Sequence, residues 1–357
     1  MALSYQNILD RIEQTLQDTA NATYDTTELG MWIEDELKRI SRYVPLFVDV
    51  IFQVESRFGS DSAGTASSLT DTAKAQFLAA DATNEKVVHN ITDDTWAVIL
   101  TRTSSSVVTL SRDIMAAGEQ YEIYNKRCRN KRQIYIGDMP AEYWDNVVSV
   151  EYPIGKERGF KTLGQIIELE VYDSAIRDSD STLATLSSVD VLVRFAVPQL
   201  LSQLTDLAGK VDLGAGYAAG LSTIHIDEVG ATEVIEVGEQ FTLENHQSTY
   251  IITTPTTLSS NEGDITFYPP LEAAVIDNDD IAFKKSSLTP DLEEILCQRV
   301  AARAMLSNTV TKLDAVTTGG GNVYPRERQW AMDILTETDR TLRGTVRAIP
   351  AKVLPRS

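Results

Sequence analysis

One long segment, Leu221–Phe283, constrains the fold of this chain more than any other feature. It contains no Lys or Arg but 12 Asp or Glu residues. Short runs of β-forming residues recur in it at intervals of about ten residues, separated by glycines and a Pro269-Pro270 pair. This spacing predicts a small β-barrel or sandwich inserted at residues 214–284. The predicted strands are Thr223–Ile226, Ala231–Ile235, Phe241–Leu243, Tyr250–Thr254, Asp264–Tyr268 and Ile281–Phe283.

Both ends of the chain carry helical patterns. Ser4 is a suitable N-cap for a first helix, and Pro45 marks the end of a second. Thr289-Pro290-Asp291 predicts the start of a third helix, and a fourth is expected from about Pro325. Each helix has one apolar face and needs a partner surface. The apolar stripes of the first two helices are Ile8, Leu9, Ile12 and Leu16, then Leu29, Ile33, Leu37 and Ile40.

Short β-like runs fill the middle of the chain and predict a mixed sheet. These runs are Trp96–Thr101, Val107–Leu110, Gln120–Tyr124, Gln133–Ile136, Val147–Tyr152, Ile166–Tyr172 and Val189–Val197. Gly59–Thr72, rich in small polar residues, is expected to be an exposed loop. The predicted fold is therefore α+β: a helical bundle from the N- and C-terminal helices, a mixed β region and an inserted small β-barrel or sandwich. The predicted domains are a core at 1–213, the acidic insert at 214–284, completing helices at 285–345 and an extended basic tail at 346–357.

The net charge of −20 argues against a protein that reads nucleic-acid sequence, because such binding needs clustered Lys and Arg. A protein that surrounds DNA without gripping it remains compatible with this charge. No apolar run has the length of a membrane-spanning helix, which predicts no membrane partner. The N-terminus does not resemble a secretory signal, so synthesis and use in a cytoplasm are expected.

Two basic clusters interrupt the acidic background. The first could contact DNA phosphate or an acidic face of a neighbouring subunit, and a solvated loop is an equally good interpretation. The second forms the C-terminal end of the chain, where no acid follows Asp339. The first cluster is Lys126, Arg127, Arg129, Lys131 and Arg132, and the second is Arg340, Arg343, Arg347, Lys352 and Arg356.

No catalytic, cofactor or metal site is predicted. The chain has no H-E-x-x-H, no nucleophile elbow and no phosphate-binding glycine loop. The three histidines, His89, His225 and His246, are interpreted as exposed or satisfied side chains rather than metal ligands. The acids at 178–180 and 277–280 lack the glycine and distal glutamate of an EF-hand, which favours solvated turns over Ca²⁺ sites. A glycosidase carboxylate pair stays open, since its two residues can lie anywhere in the chain.

The two cysteines are too far apart in sequence to suggest a disulfide framework or a zinc site. Cys297 lies in a helical pattern and is expected to be a small buried apolar residue. Cys128 lies among basic residues that could lower its pKa, although an ordinary thiol is the favoured interpretation.

A family resemblance rests on several segments of the chain: Tyr5–Glu13, Leu29–Ile40, Gly137–Trp144, Val147–Pro153, Val189–Phe195, Leu292–Leu313 and Arg326–Arg343. These segments resemble the head-to-tail connector (adaptor) proteins of tailed bacteriophages. The insertion, at 238–243, 249–253 and 264–269, is similar to small β-domains found in phage structural proteins. The chain is longer than a minimal adaptor, because of its β-insertion and its long middle region.

The resemblance implies a structural virion protein, not an enzyme, that forms a ring of about twelve copies beneath the portal. It would join the capsid to the neck or tail around the DNA channel, with its basic tail docked on the portal or a neighbouring subunit. The implied partners are the portal protein, further copies of the chain, a neck or tail-terminator protein, and viral DNA that passes without sequence-specific binding. The implied location is the head–tail interface of the virion, assembled in the host cytoplasm.

Two alternatives stay open. One is another neck, tail-completion or baseplate protein. The other is a carbohydrate-binding protein or acidic glycosidase with the β-domain as its binding module, which would need exposed aromatic side chains. The aromatics of Leu221–Phe283 fall mostly on predicted strands and are expected in the core. They are Phe241, Tyr250, Phe267, Tyr268 and Phe283.

Overall fold

A computed structural model describes residues 3–20, 22–55, 57–144, 146–172, 190–204, 207–230, 233–313 and 323–345. It is mixed α+β, as predicted. Its helices are α1 (Tyr5–Leu16), α2 (Thr26–Tyr43), α3 (Ala80–Thr83), α4 (Ala141–Trp144), α5 (Pro290–Leu313) and α6 (Val323–Gly344). Its first strands are β1 (Leu46–Gln53), β2 (Phe58–Ser60), β3 (Ser68–Thr70), β4 (Val87–Asn90), β5 (Thr95–Ser104), β6 (Val107–Leu110), β7 (Gln120–Tyr124), β8 (Gln133–Tyr135), β9 (Val147–Glu151) and β10 (Glu157–Arg158). The later strands are β11 (Phe160–Leu163), β12 (Ile166–Leu169), β13 (Asp190–Val197), β14 (Ala208–Val211), β15 (Thr223–Asp227), β16 (Val234–Ile235), β17 (Gln240–Leu243), β18 (Tyr250–Thr254), β19 (Thr256–Thr257), β20 (Gly263–Tyr268) and β21 (Asp280–Phe283).

The chain divides into two compact units. The helical unit comprises the described residues of 1–47, 196–207 and 283–351, and thus α1, α2, α5 and α6. The β unit comprises the described residues of 48–195 and 208–282.

In the helical unit, α5 packs against α1, α2 and α6. The Ser4 side chain caps α1 by accepting a hydrogen bond from the Asn7 N–H, as predicted. The apolar stripes of α1 and α2 are confirmed as the buried faces, with Leu37 only partly buried. These faces share one core with the buried face of α5: Ile8, Leu9, Ile12, Leu16, Leu29, Ile33, Ile40, Leu292, Leu296, Val300 and Ala304.

A buried ion network crosses the helical unit. Arg299 on α5 and Glu36 on α2 are both fully buried, and their Nε and Oε2 atoms are 2.5 Å apart. The Arg299 guanidinium also donates to the Thr338 hydroxyl (2.8 Å) and to the Asp339 carboxylate (2.7 Å) on α6. Arg303 forms a second ion pair with Glu36 (2.5 Å). One guanidinium therefore joins three helices by charge-assisted hydrogen bonds.

The β unit contains a six-stranded antiparallel sheet in the order β2-β7-β4-β5-β6-β3. The prediction of an exposed loop at Gly59–Thr72 is only partly correct. Residues 62–66 are exposed and lie outside the strands, but the two ends of the segment form the edge strands of the sheet and Leu69 is buried. Two acids of the segment, Asp61 and Asp71, are buried as well. Buried Asp61 accepts hydrogen bonds from the backbone N–H groups of Gly64 (2.7 Å) and Thr70 (2.8 Å). Carboxylates that satisfy backbone donors permit a polar segment to be buried.

A second buried ion cluster surrounds Arg57, which is 1% exposed. Its guanidinium forms bidentate contacts with Glu55 (2.8 and 3.0 Å) and with Asp81 (2.6 and 3.0 Å), and it donates to the Gln76 carbonyl. Lys86 also pairs with Glu55. Burial would raise the pKa of Glu55, but the charges of Arg57 and Lys86 outweigh it and hold the pKa well below its usual range.

A closed six-stranded barrel in the order β14-β15-β20-β18-β17-β21 confirms the predicted β-barrel. It uses five of the six predicted strands. The predicted run Ala231–Ile235 contributes only β16, which pairs with β19 in a separate two-stranded sheet. The barrel is instead completed by β14, which precedes Gly214.

Four of the five aromatics of Leu221–Phe283 are buried, as expected, whereas Tyr268 is only partly buried. Phe241, Tyr250 and Phe267 are no more than 1% exposed, and their ring centroids lie 5.2–5.4 Å apart. Phe283 is 5% exposed. These rings supply the apolar contacts of the barrel core.

The remaining strands of the β unit form two further sheets. One is four-stranded in the order β1-β13-β9-β10, and the other is three-stranded in the order β11-β12-β8. The predicted strand runs from 96 to 197 all overlap observed strands.

Candidate functional site

The basic cluster of residues 126–132 lies between β7 and β8 and is held by local hydrogen bonds. The Cys128 N–H donates to the Asn125 carbonyl (2.9 Å). The Arg129 N–H donates to the side chain of Gln133 (2.8 Å). With Cys128 only 1% exposed, the segment is anchored at its centre. These hydrogen bonds and the buried Cys128 therefore hold the backbone of the loop in one conformation.

Part of the positive charge in this loop is neutralised within the β unit. Lys126 forms ion pairs with Glu85 (2.9 Å) and Asp138 (3.1 Å), and Arg132 pairs with Glu168 (3.3 Å). Burial would lower the pKa of Lys126, but its two carboxylate partners raise it. Lys131 is half-buried and also interacts with another group of the protein.

Arg127 and Arg129 are the exposed cations of the same loop. The Arg127 guanidinium lies 5.5 Å from the centre of the Tyr135 ring and donates to the Gln165 side chain (3.3 Å). Stacking on a ring leaves the charge of a guanidinium available to a partner. The predicted contact with DNA or a subunit thus rests most directly on these two side chains.

In the C-terminal basic cluster, Arg340 and Arg343 are exposed on the last turns of α6. The other three predicted contact residues, Arg347, Lys352 and Arg356, lie outside the described residues, as does the predicted tail at 346–357. The acids at 178–180 are outside them too. Cations at a helix C-terminus complement the helix dipole and are accessible to an acidic partner.

Both cysteines are buried, which agrees with the favoured interpretations. Burial raises the pKa of Cys128 to about 12, despite its basic neighbours in sequence. Burial is also the largest influence on Cys297, whose pKa is raised to about 11. A thiol must ionise and be reached before it reacts.

We therefore expect neither cysteine of the native protein to react with a thiol reagent such as DTNB at pH 8, whereas both react at once in urea. A Thr103→Cys variant provides the control, because it adds a third thiol at an exposed position on β5. Only that added thiol should react under native conditions. Stoichiometric labelling of Cys128 in the native wild type would contradict its burial.

A cavity of about 160 Å³ lies within the β unit, between β1, the α3 region, the basic loop and the Tyr268–Glu272 segment. Lys126, Asp138 and Glu272 contribute charges to its wall, and Tyr268 donates to the Tyr135 carbonyl (2.9 Å). Burial raises the pKa of Tyr268, so its hydroxyl stays protonated. A space of this size accommodates a ring or a large side chain. Its lining, within the part of the chain that the structure describes, includes no histidine or cysteine.

The histidines have three different environments. His89 stacks on Trp96, with ring centroids 4.0 Å apart, and its Nε2 lies 2.9 Å from Asp94. Burial lowers the pKa of His246, whose Nδ1 lies 2.5 Å from the Tyr250 hydroxyl. His89 and His246 are thus each paired through one ring nitrogen. The other nitrogen, Nδ1 of His89 and Nε2 of His246, is buried without a hydrogen-bond partner in the part of the chain that the structure describes, so the interpretation of satisfied side chains is only partly correct.

His225 differs, because other potential ligands surround it. One ligand atom each from Asp212, His225 and Glu262 lies within 4.8 Å of the other two. The His225 Nδ1 lies 2.7 Å from Asp264. Burial raises the pKa of neighbouring Asp227, and nearby carboxylates including Asp212 raise it further. The sequence signal was weak because the three residues lie on separate segments, without the short spacing of a metal motif.

The acids at 277–280 behave as turn residues. Asp277 accepts the Leu213 N–H (3.0 Å), and Asp279 accepts the Ile276 N–H (2.8 Å). Asp280 forms an exposed ion pair with Lys210 (3.4 Å). These carboxylates are engaged as expected for a turn.

No protein-family model, curated protein or solved structure matches this chain. Among the helices that the structure describes, none is both long and apolar enough to cross a membrane.

Proposed function

We propose that this protein is a non-catalytic structural part of a phage virion, a head-to-tail connector that forms a ring beneath the portal. The observation that carries the proposal is the composition of the helical unit. Helices from the first 43 residues and helices after residue 290 pack on one core, and the barrel strands lie between them in sequence. This arrangement agrees with the order of elements that the family resemblance implies.

The same contacts support a proposal about the finer architecture. We propose that α1, α2, α5 and α6 act as a helical bundle that carries the subunit contacts of the ring. The central position of α5 and the ion network of Arg299 favour a rigid helical unit. A rigid unit suits a ring, because each copy has to present the same surface to the next.

The charge distribution supports the proposed partners. Arg340 and Arg343 are exposed cations at the end of α6 and would dock on an acidic surface of the portal or of a neighbouring copy. Arg127 and Arg129 are available for a subunit contact or for DNA phosphate. The net charge of −20 discourages adhesion of the passing DNA. In this proposal the neck or tail-terminator protein binds the far side of the ring.

The buried aromatics of the barrel weigh against the carbohydrate-binding alternative. Stacking on a sugar requires exposed rings, and the barrel aromatics Phe241, Tyr250 and Phe267 are interior. A role as another neck, tail-completion or baseplate protein uses the same helices and barrel, so the partner that the chain binds distinguishes it from a connector.

The test is the mass of the purified protein in solution, measured with and without portal rings of the same phage. We expect a small species alone and a ring of about twelve copies on the portal. A monomer or dimer whose mass does not change when portal rings are added would overturn the connector proposal and favour the other virion roles.

Charge reversal on α6 tests the docking surface. We expect Arg340→Glu with Arg343→Glu to weaken portal binding at least tenfold, because two cations that face an acidic partner become repulsive. The matched control is Arg326→Glu with Arg328→Glu, which reverses two exposed cations near the other end of the same helix. Equal losses in both variants would show a general charge effect rather than a docking site.

A further inference from the structure

A group of side chains on the outer face of the barrel has no role in the proposed function. On β15 the alternate residues Ile224 and Ile226 are buried, so His225 between them projects outward. The backbone N–H of Asp212 bonds to the His225 carbonyl (3.0 Å), which places Asp212 alongside. Glu262 directly precedes β20, the neighbouring strand on the other side. Three separate segments therefore converge on one point of the surface.

The spacing of the three groups is close to that of a metal site. Their ligand atoms lie within 4.8 Å of one another. In a tetrahedral zinc site, two ligands that each lie about 2.1 Å from the ion are about 3.4 Å apart. Asp212 and Glu262 are exposed, so their side chains can close a remaining gap of up to about 1.4 Å by rotation.

The imidazole of His225 is oriented for coordination. Its Nδ1 lies 2.7 Å from the Asp264 carboxylate, which is directly opposite it on β20. In the tautomer whose Nδ1–H donates to this carboxylate, the Nε2 lone pair is available to a cation. A carboxylate that holds the far nitrogen of a metal-binding histidine is a recurring support of such sites.

A separate observation, on Asp227, also favours a cation beside His225. Asp227 follows His225 by two residues and projects from the same face of β15. Its Oδ1 has no solvent exposure and no hydrogen-bond partner in the part of the chain that the structure describes. A buried anionic oxygen without a partner is costly unless positive charge is nearby. Lys210 lies opposite Asp227 on β14, but its ammonium is paired with Asp280 (3.4 Å), and the segment Leu221–Phe283 itself contains no Lys or Arg.

We propose that Asp212, His225 and Glu262 bind a divalent transition-metal ion such as Zn²⁺, with Asp264 orienting the imidazole. An imidazole ligand favours such ions over Ca²⁺ and Mg²⁺, which prefer oxygen. The ion ties β15 to the segments that follow β14 and precede β20, and its open positions take water or a group from another molecule. This inference does not depend on the connector proposal.

The test is isothermal titration of the EDTA-treated full-length protein with ZnCl₂, and separately with CaCl₂ and MgCl₂. We expect one Zn²⁺ site per chain, and binding at least tenfold weaker in His225→Ala and in Glu262→Gln. Glu262→Gln changes an exposed side chain, so loss of the fold does not confuse the result. Asp264→Asn should weaken binding by about 10- to 100-fold.

His89→Ala is the matched control, because His89 also has a carboxylate partner, Asp94, but belongs to no ligand group among the described residues. It should bind Zn²⁺ like the wild type. The proposal is overturned if wild-type protein binds no Zn²⁺, or if His225→Ala binds it unchanged. Binding of Ca²⁺ as tight as that of Zn²⁺ would show only a general attraction to acidic surface, and would overturn it too.

Discussion

Replacement of Arg299 by methionine is expected to lower the free energy of unfolding of the helical unit by about 3–5 kcal/mol. The guanidinium is fully buried, and it pairs with Glu36 on α2 and with Asp339 on α6. Methionine would occupy part of the space but would leave Glu36 buried with only Arg303 as a partner. A carboxylate that has lost a partner keeps its desolvation cost, which is why the expected loss is large.

Urea unfolding followed by far-UV circular dichroism measures this change, and hydrogen exchange of α5 shows which unit has loosened. Lys38→Met is the matched control, because Lys38 on α2 forms an exposed pair with Glu34 (3.8 Å) and should contribute less than about 1 kcal/mol. The double variant Glu36→Met with Arg299→Met should recover part of the loss, since no unpaired charge then remains between them. Similar losses in the Lys38 and Arg299 variants would contradict the prediction.

Replacement of Arg57 by methionine should destabilise the β unit by a comparable amount, about 3–5 kcal/mol. Arg57 is the ion-pair partner of Asp81, which is fully buried, and it forms a bidentate contact with Glu55. Lys86 can still neutralise Glu55, so the greater part of the cost falls on Asp81. The expected result is a lower urea midpoint for the β unit and faster exchange of its six-stranded sheet.

The control for this variant is Arg102→Met in the same sheet. Arg102 is exposed and donates to the Phe77 carbonyl (3.0 Å), so its loss should cost less than about 1 kcal/mol.

The pH dependence of stability provides a second test of the Arg57 cluster. The lowered pKa of Glu55 contributes stability above its unfolded pKa of about 4.3, and this stability is lost as pH falls toward the folded value. In the Arg57→Met variant, the free energy of unfolding should therefore fall less steeply as the pH is lowered. The same pH dependence in the variant and the wild type would contradict the role of Arg57 in lowering the pKa of Glu55.

The helical stripes and most strands were predictable because their signals are local. In α1 and α2, apolar residues follow the helical period, so the buried face is set by spacing within one segment. The runs at 107–110 and 120–124 alternate in the same local way and coincide with β6 and β7. The Ser4 cap depends on a contact only three residues long.

Long-range contacts decide what the local sequence leaves open or indicates incorrectly. Gly59–Thr72 has the composition of a loop, yet strands 40 to 60 residues later in the chain pair with both its ends. Cys128 has basic neighbours in sequence, but burial controls its pKa. Lys126 and Arg132 look like free cations, although acids elsewhere in the β unit neutralise them.

Local periodicity and turn chemistry therefore determined the α+β class, the helices at both ends and an acidic β-barrel in the insert. Tertiary structure alone decided which charges are buried, because Arg299 and Glu36 are 263 residues apart and Arg57 and Asp81 are 24 apart. It also decided that β14 completes the barrel and that Asp212, His225 and Glu262 meet on its surface. The period of the hydrophobic residues can be read within a single segment of the sequence. Ion pairs and ligand groups combine residues from distant segments, which only folding brings together.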